Sequence, residues 1–235
     1  LDNVIHKHIP AGFNIHDHAI STSNADIIYA PVDVDRAFRS LGTLGGGNHF
    51  IELDRDGDGY LWLVIHTGSR HLGIEVCKYY QDAAYKTIRN DGIKNEIEET
   101  IARLKIEGRQ QEIEQAVKTL RQKSPSIPKD LCYVEKELFD KYIHDMHFAQ
   151  EHADMNRKCI AEIITSRMNW HIADIIHTIH NYIEIHETFV LQSDPMILRK
   201  GAVSAKNGEK LIIPVNYSHL KHKVSEEGAC NYPVV

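Results

Sequence analysis

The sequence has no close cysteine pair, no long apolar run and no excess of positive charge, and each lack removes a class of protein. Its four cysteines, Cys77, Cys132, Cys159 and Cys230, stand far apart with no C-x-x-C step. That excludes a zinc knuckle and a disulfide scaffold, and it points to a reducing compartment. The longest apolar runs, Leu61 to Ile65 and Leu211 to Val215, fall well short of the roughly 20 residues that a membrane span needs. The opening Leu1-Asp2-Asn3 has neither the basic start nor the apolar stretch of a secretory leader. A cytoplasmic protein without a membrane partner is expected. The formal net charge of −6 gives no general attraction to nucleic acid, so any polyanion has to meet a local basic cluster. Internal repeats and low-complexity segments are absent as well.

Histidine is abundant, with 16 among 235 residues, and neutral imidazole suits intermediate metals such as Zn, Mn or Fe. With 42% hydrophobic residues the chain can build the core of one large domain, or of a domain carrying an insertion. Residues Leu1 to Leu41 read as loop-rich, with turn signals at Ile9-Pro10-Ala11-Gly12 and Ala30-Pro31 and a short helix near Val34 to Leu41. Phe50 to Leu53 and Tyr60 to Ile65 flank Asp54-Arg55-Asp56-Gly57-Asp58-Gly59, whose Asp-Gly steps signal a β-hairpin. Helices are expected over Gly73 to Arg89, stopped by Asn90-Asp91-Gly92, over Ile93 to Gln122 as a helix or helical hairpin, over Val134 to Met168, and over Trp170 to Ile179. The remainder turns β-like at Phe189 to Leu191, Met196 to Leu198 and Lys210 to Val215, with a turn at Asn207-Gly208. Strands on both sides of a helical block define an α+β class, the helices of about 73–180 forming an excursion between two halves of one β core.

Four short stretches carry chemistry. Gly45-Gly46-Gly47-Asn48-His49-Phe50-Ile51-Glu52-Leu53 sets a histidine, an amide and a carboxylate beside a glycine turn that lets backbone approach closely. The same letters also suit a plain glycine turn with a surface histidine. Ile65-His66-Thr67-Gly68-Ser69-Arg70 combines an imidazole with a guanidinium fork ahead of a helix start, where Ser69 reads equally as an N-cap. The hairpin brings His49 and His66 close, since paired strands lie about 4.8 Å apart. His180-Asn181-Tyr182 adds a third imidazole, expected at a helix end, and Arg199-Lys200-Gly201-Ala202 adds two cations at a tight turn. Asp140, His144, His147 and Glu151 share one helix face at i, i+4, i+7 and i+11, which reads as surface hydrogen bonding unless a second helix supplies carboxylates.

Taken in order, Leu41 to Glu52, His66 to Arg70, His180 to Tyr182 and Arg199 to Ala205 resemble four motifs of the RtcB family of RNA ligases. Ala149-Gln150 with Ala153, Asn156 and Arg157, and Ile212-Ile213-Pro214, are similar too, so the likeness spans roughly Ile9 to Asn216. The resemblance implies a mixed β core of RtcB type, with 1–216 as the central part of a catalytic domain and 217–235 as a divergent tail. It implies joining of an RNA 3′-phosphate or 2′,3′-cyclic phosphate to a 5′-hydroxyl with GTP and Mn²⁺, in tRNA splicing and RNA repair. RNA with such ends is the implied substrate and archease an implied partner. By the same resemblance His49, His66 and His180 are metal ligands, Asn48, Glu52 and Asn181 face the nucleotide, and Arg70, Arg199 and Lys200 face phosphate or RNA.

The family also carries an upstream Asp-x-Gly-Cys-Gly-Met segment and a downstream His-Gly-Ala-Gly-Arg segment whose histidine accepts the guanylate, and neither motif occurs in these 235 residues. The first residues read as the middle of a longer sequence, and no catalytic nucleophile is assigned; Cys230, His219 and His222 inherit no role. A non-catalytic metal- or RNA-binding remnant and a metal-dependent cyclic phosphodiesterase are the alternative expectations. Incubated with labelled GTP and Mn²⁺, a polypeptide of these residues should form no stable protein–GMP adduct. A radiolabelled band that survives denaturation would contradict that.

Overall fold

A computed structural model of the chain describes residues 1–20, 28–122, 127–185 and 196–204. Its elements run α1 (Asp2–His8), α2 (Val34–Arg39), β1 (Phe50–Arg55), β2 (Leu61–His66), α3 (His71–Ile106), α4 (Ile113–Leu120), α5 (Lys136–Met168), β3 (Asn181–Ile185) and β4 (Met196–Lys200). Both sheets are two-stranded and antiparallel, β1 with β2 and β3 with β4. The α+β class holds at this level, and among the described residues no larger mixed sheet joins the two hairpins. The expected strands at Phe189 to Leu191 and Lys210 to Val215, the Asn207-Gly208 turn and the tail 217–235 lie outside the described residues.

The first hairpin forms where its turn chemistry puts it. Asp56 caps the turn by accepting from the amides of Asp58 and Tyr60 and from the Trp62 indole, which holds its carboxyl below the usual carboxylate range. That fixes the register Phe50 to His66 and Ile51 to Ile65, so the hairpin's open end carries His66 opposite Phe50.

Helix α5 is the spine of the fold. Its buried positions, Asp145, Ala149, His152, Ala153, Asn156, Cys159, Ile160 and Ile164, recur at the spacing of one helical face. Two apolar clusters lie along it. Leu72, Val76 and Tyr80 of α3 with Ala30 and Ala37 meet the half-buried Leu138, Tyr142 and Phe148, while Ile160 and Ile164 meet Ile9 with Leu44, Ile51, Leu63 and Ile65 around them. Between the clusters the buried face mixes the small Ala149, Ala153 and Cys159 with the polar His152 and Asn156. Asp145, fully buried, accepts from the Tyr29 and Ala30 amides at 3.0 and 2.8 Å and from the Tyr80 hydroxyl at 2.7 Å, so both its oxygens have partners.

Four expectations are corrected. Asn90-Asp91-Gly92 does not stop a helix: α3 runs through it, since strong helix formers on both sides outweigh a glycine cost of about 1 kcal/mol. The stop is Gly108, at φ +71°, where the Gly108 and Arg109 amides bond back to Lys105 and Leu104, and α4 then folds onto α3 as a helical hairpin. Trp170 to Ile179 is neither helix nor strand. The left-handed Asn169 (φ 53°, ψ 42°) ends α5, with the Trp170 amide bonding to the Thr165 carbonyl. His180 therefore stands at a strand entrance rather than a helix end. The loop-rich start also contains a helix, α1, at the N-terminal end of a segment whose Leu1, Ile5 and Ile9 join the cluster around Ile160 and Ile164.

His152 is buried at 5% exposure, near Ser40 Oγ at 3.5 Å, and burial pushes its pKa down to about 4. The unfolded chain carries that histidine near pKa 6.5, so above pH 6.5 it is neutral in both states. Between pH 6.5 and 4 only the unfolded chain takes the proton, and stability falls as pH falls, by up to about 3 kcal/mol. Urea unfolding at a series of pH values should show this slope in the wild type and lose that part of it in His152→Gln; equal slopes would overturn the assignment.

Candidate functional site

The site begins with two loops held at a common height over α5. Residues 41–49 lead into β1 and residues 67–70 lead out of β2. The buried Asn156 joins them: its Oδ1 accepts from the Thr43 amide at 3.1 Å, and its Nδ2 faces the Thr43 and Gly68 carbonyls at 3.1 and 3.2 Å and Thr67 Oγ1 at 3.3 Å. Thr67 Oγ1 donates to the Leu44 carbonyl at 2.8 Å, closing a second link between the loops. Leu44 and Gly45 are also tied to residues 10–12, through the Leu44 amide on Pro10 and the Gly12 amide on Gly45.

Arg70 locks the entrance. Its Nε donates to Thr43 Oγ1 and its Nη2 to the Gly12 carbonyl, both at 2.8 Å. Its backbone sits at φ 59°, a region that costs a side-chain-bearing residue free energy, and these bonds help hold it there. The guanidinium lies so close over Gly45 (φ +89°) that a Cβ there would come within 1.5 Å of Nη1. Glycine at 45 is thus a packing requirement as well as a turn. The N-cap of α3 is Arg70 rather than Ser69, though Ser69 Oγ, one residue ahead, accepts from the Gly73 amide in the first turn at 3.2 Å.

Over this base three imidazoles converge from three parts of the sequence. The His49 and His66 ring centroids lie 6.0 Å apart, and those of His66 and His180 lie 5.3 Å apart. His49 Nδ1 is 3.0 Å from the Leu44 carbonyl, which can only accept, so Nδ1 carries the proton and Nε2 keeps its lone pair on the side of Gly68. Burial lowers the pKa of His49, an effect that outweighs its bond to Leu44. His66 is lowered by burial first, then by His180, His49 and Arg157. Both rings are thereby held neutral, the form with a lone pair to offer. No group of three or more His, Cys, Asp or Glu among the described residues stands as a ready-made metal cage.

The other sequence-predicted residues divide. Asn48 and Glu52 lie exposed on either side of His49, Glu52 facing Val64 across the hairpin. Asn181 and Lys200 pair across β3–β4 next to His180, with Asn181 Oδ1 accepting from the Gly201 amide at 2.9 Å. Arg199 is turned into its own hairpin, in a double contact with Glu184 Oε2 at 2.8 and 2.7 Å. The face formed by Asp140, His144, His147 and Glu151 assembles no metal cluster, and His144 instead meets the Tyr29 ring and Asp145. Asn156 and Arg157 gain roles that spacing alone did not give them. The signal for Asn156 was a polar residue in the buried stripe of α5, where apolar groups are the default, while Arg157 is half-buried beside that stripe.

Fold and site together define an α+β protein in which His49 and His66, carried by a hairpin packed on a long helix, are met by His180 at the entrance of a second hairpin. The chain belongs to the RtcB family: residues 21–228 match the family described as tRNA-splicing ligase RtcB. It is 32% identical over 190 residues to the RNA-splicing ligase RtcB of Escherichia coli strain K12 and 30% identical over 190 residues to RtcB1 of a second E. coli strain. Both matches cover 75% of this chain and 38% of the relative, so the chain spans well under half the length of those proteins. A shorter stretch of 74 residues is 36% identical to the tRNA-splicing ligase RtcB of Archaeoglobus fulgidus, covering 26% of this chain and 15% of that protein. No solved structure gives a significant match. No helix among the described residues is long and apolar enough to cross a membrane.

Replacing Asn156 with the near-isosteric leucine would strand the Thr43 amide and two carbonyls in a buried place. The expected cost is about 2–4 kcal/mol, read as a fall in the urea midpoint at constant slope. A loss below about 1 kcal/mol would show that the two loops hold together without it.

Proposed function

We propose that this chain carries the metal-holding and nucleotide-facing part of an RNA ligase, one that joins a 3′-phosphate or 2′,3′-cyclic phosphate to a 5′-hydroxyl with GTP and Mn²⁺ in tRNA splicing or RNA repair. Residues 1–216 are its share of the catalytic domain, and its two hairpins belong to the mixed β core of that domain. Family membership sets the reaction class. The single observation that carries the site is the convergence of His49, His66 and His180, which lie far apart in the sequence.

The donor set suits the cation. Neutral imidazole nitrogens offer lone pairs to divalent transition metals, and Mn²⁺, which also favours oxygen donors, would complete its shell with phosphate or water oxygens. His49 is pre-set to offer Nε2 by its bond to Leu44, with His66 and His180 beside it. Bound there, the metal would supply charge to neutralise phosphates and to align an oxygen nucleophile. The chain's own residues would do the rest. Asn48 and Asn181 flank the histidines with amide donors, and Glu52 offers an exposed acceptor for a base or ribose of the nucleotide. Arg70 presents a guanidinium already fixed by Thr43 and Gly12, so it can meet a phosphate with little further loss of freedom. Lys200 adds an exposed charge beside Asn181, and Arg199 adds a second that would have to share its fork between Glu184 and phosphate.

Titration of the chain with Mn²⁺, followed by calorimetry and by the manganese EPR signal, tests the reading. Wild type should bind, and His49→Ala, His66→Ala and His180→Ala should each weaken binding at least about tenfold. Affinity unchanged in all three variants would overturn the site. Metal binding coupled to phosphate release from cyclic ends without joining would favour a phosphodiesterase instead.

A further inference from the structure

His180 is the imidazole whose position is least explained by secondary structure. Residues 170–180, which lead to it from α5, form neither helix nor strand, and neither β3 nor β4 packs extensively against a helix or against the first hairpin. Yet the His180 ring lies 5.3 Å from His66. The segment returns to α5 at His177. Its Nε2 is 3.0 Å from Asp154 Oδ1 and in contact with Arg157 Nη2, and Asp154 is shared further with Lys158 Nζ at 2.7 Å.

Arg157 reaches both sides at once. While Nη2 contacts His177, Nη1 donates to the Thr67 carbonyl at 3.1 Å, one residue beyond His66. The side chain is only 16% exposed, and its Nε is buried without a protein partner, so the guanidinium is placed by its two ends. A planar guanidinium fixes the separation of its two amino groups, which a flexible ammonium on a single stem does not. We propose that Arg157 is a positioning residue: a rigid strut on α5 that sets His180 at ligand distance from His66 by holding Thr67 with one amino group and His177 with the other. The inference rests on the metal-holding reading of the three histidines and adds to it a residue that acts through them rather than on the ion. Residues that orient metal ligands typically change affinity by about 10–100-fold when replaced.

Arg157→Lys keeps the charge and loses the fork; His177→Phe changes an exposed residue and leaves the core untouched. Both should lower Mn²⁺ affinity about 10–100-fold. In a double-mutant cycle His177→Phe should add little further loss on top of His180→Ala, because both remove the same ligand. Hydrogen exchange supplies a readout without metal. The Ala202 amide, bonded to the His180 carbonyl, should lose about fivefold or more of its protection in His177→Phe, while the Thr43 amide held by Asn156 keeps its own. If Arg157→Lys does not fold, His177→Phe decides alone. Wild-type Ala202 protection in His177→Phe, unchanged Mn²⁺ affinity, or full additivity with His180→Ala would each overturn the strut. Should the wild type bind no Mn²⁺, the metal reading fails by itself and the Ala202 amide still decides on the strut.

Discussion

One side-chain amide bears most of the site's geometry. Asn156 is a full peptide mimic: its carbonyl oxygen takes the Thr43 amide and its nitrogen serves the Thr43 and Gly68 carbonyls. Loops buried against a helix carry backbone donors and acceptors that water no longer reaches, and each one left unpaired costs about 1–3 kcal/mol. A leucine at 156 would fill the space but meet none of them. The position of the His49 loop relative to the His66 loop therefore follows from hydrogen-bond accounting rather than from apolar packing.

The same turn of α5 does three jobs with successive residues. Asp154 pairs with Lys158 and lies beside Arg157, Asn156 holds the loops on either side of the first hairpin, and Arg157 ties Thr67 to the segment leading to His180. Apolar groups at these positions would give a more ordinary helix, with clusters above and below joined into one. Instead the polar stretch splits the core, with Tyr80, Val76 and Leu72 on one side and Ile160 and Ile164 on the other. Apart from Arg157 Nε the polar groups of this turn are bonded, and that bonding dictates one relative placement of three distant segments.

Elements whose signal is local were legible in the sequence. The Asp-Gly turn specified β1 and β2, since Asp56 supplies the cap and alternation supplies the rest. The stripe Ile97, Ile101, Leu104, Ile113, Val117 and Leu120 marked helix over this stretch but left a single helix and a helical hairpin open, and the structure forms the hairpin. What failed were stops. Asn90-Asp91-Gly92 looks like a helix end and is not one, while Asn169 ends α5 through a left-handed backbone that a period-based reading of Trp170 to Ile179 passes over. The approach of His49 to His66 was readable from hairpin register, whereas His180 was grouped with them only by the family resemblance, because the contacts of Arg157 and His177 that lead to it are announced by no spacing in the chain.

The helical excursion can be separated energetically from this centre. Near its N-terminus α3 packs on α5 through Leu72, Val76 and Tyr80, and Tyr80 reaches the buried Asp145. Farther along, its partner is α4, with Leu104 buried between them. Interactions that reach the imidazoles start from Asp154, Asn156 and Arg157, more than two helical turns beyond Asp145 along α5. Among the described residues the distal half of α3 packs on α4 rather than on the elements that carry the imidazoles, and effects at such separation usually add rather than couple. The distal helical hairpin is thus expected to tolerate changes of length and charge while the site keeps its shape, because the site's side-chain bonds start from one turn of α5.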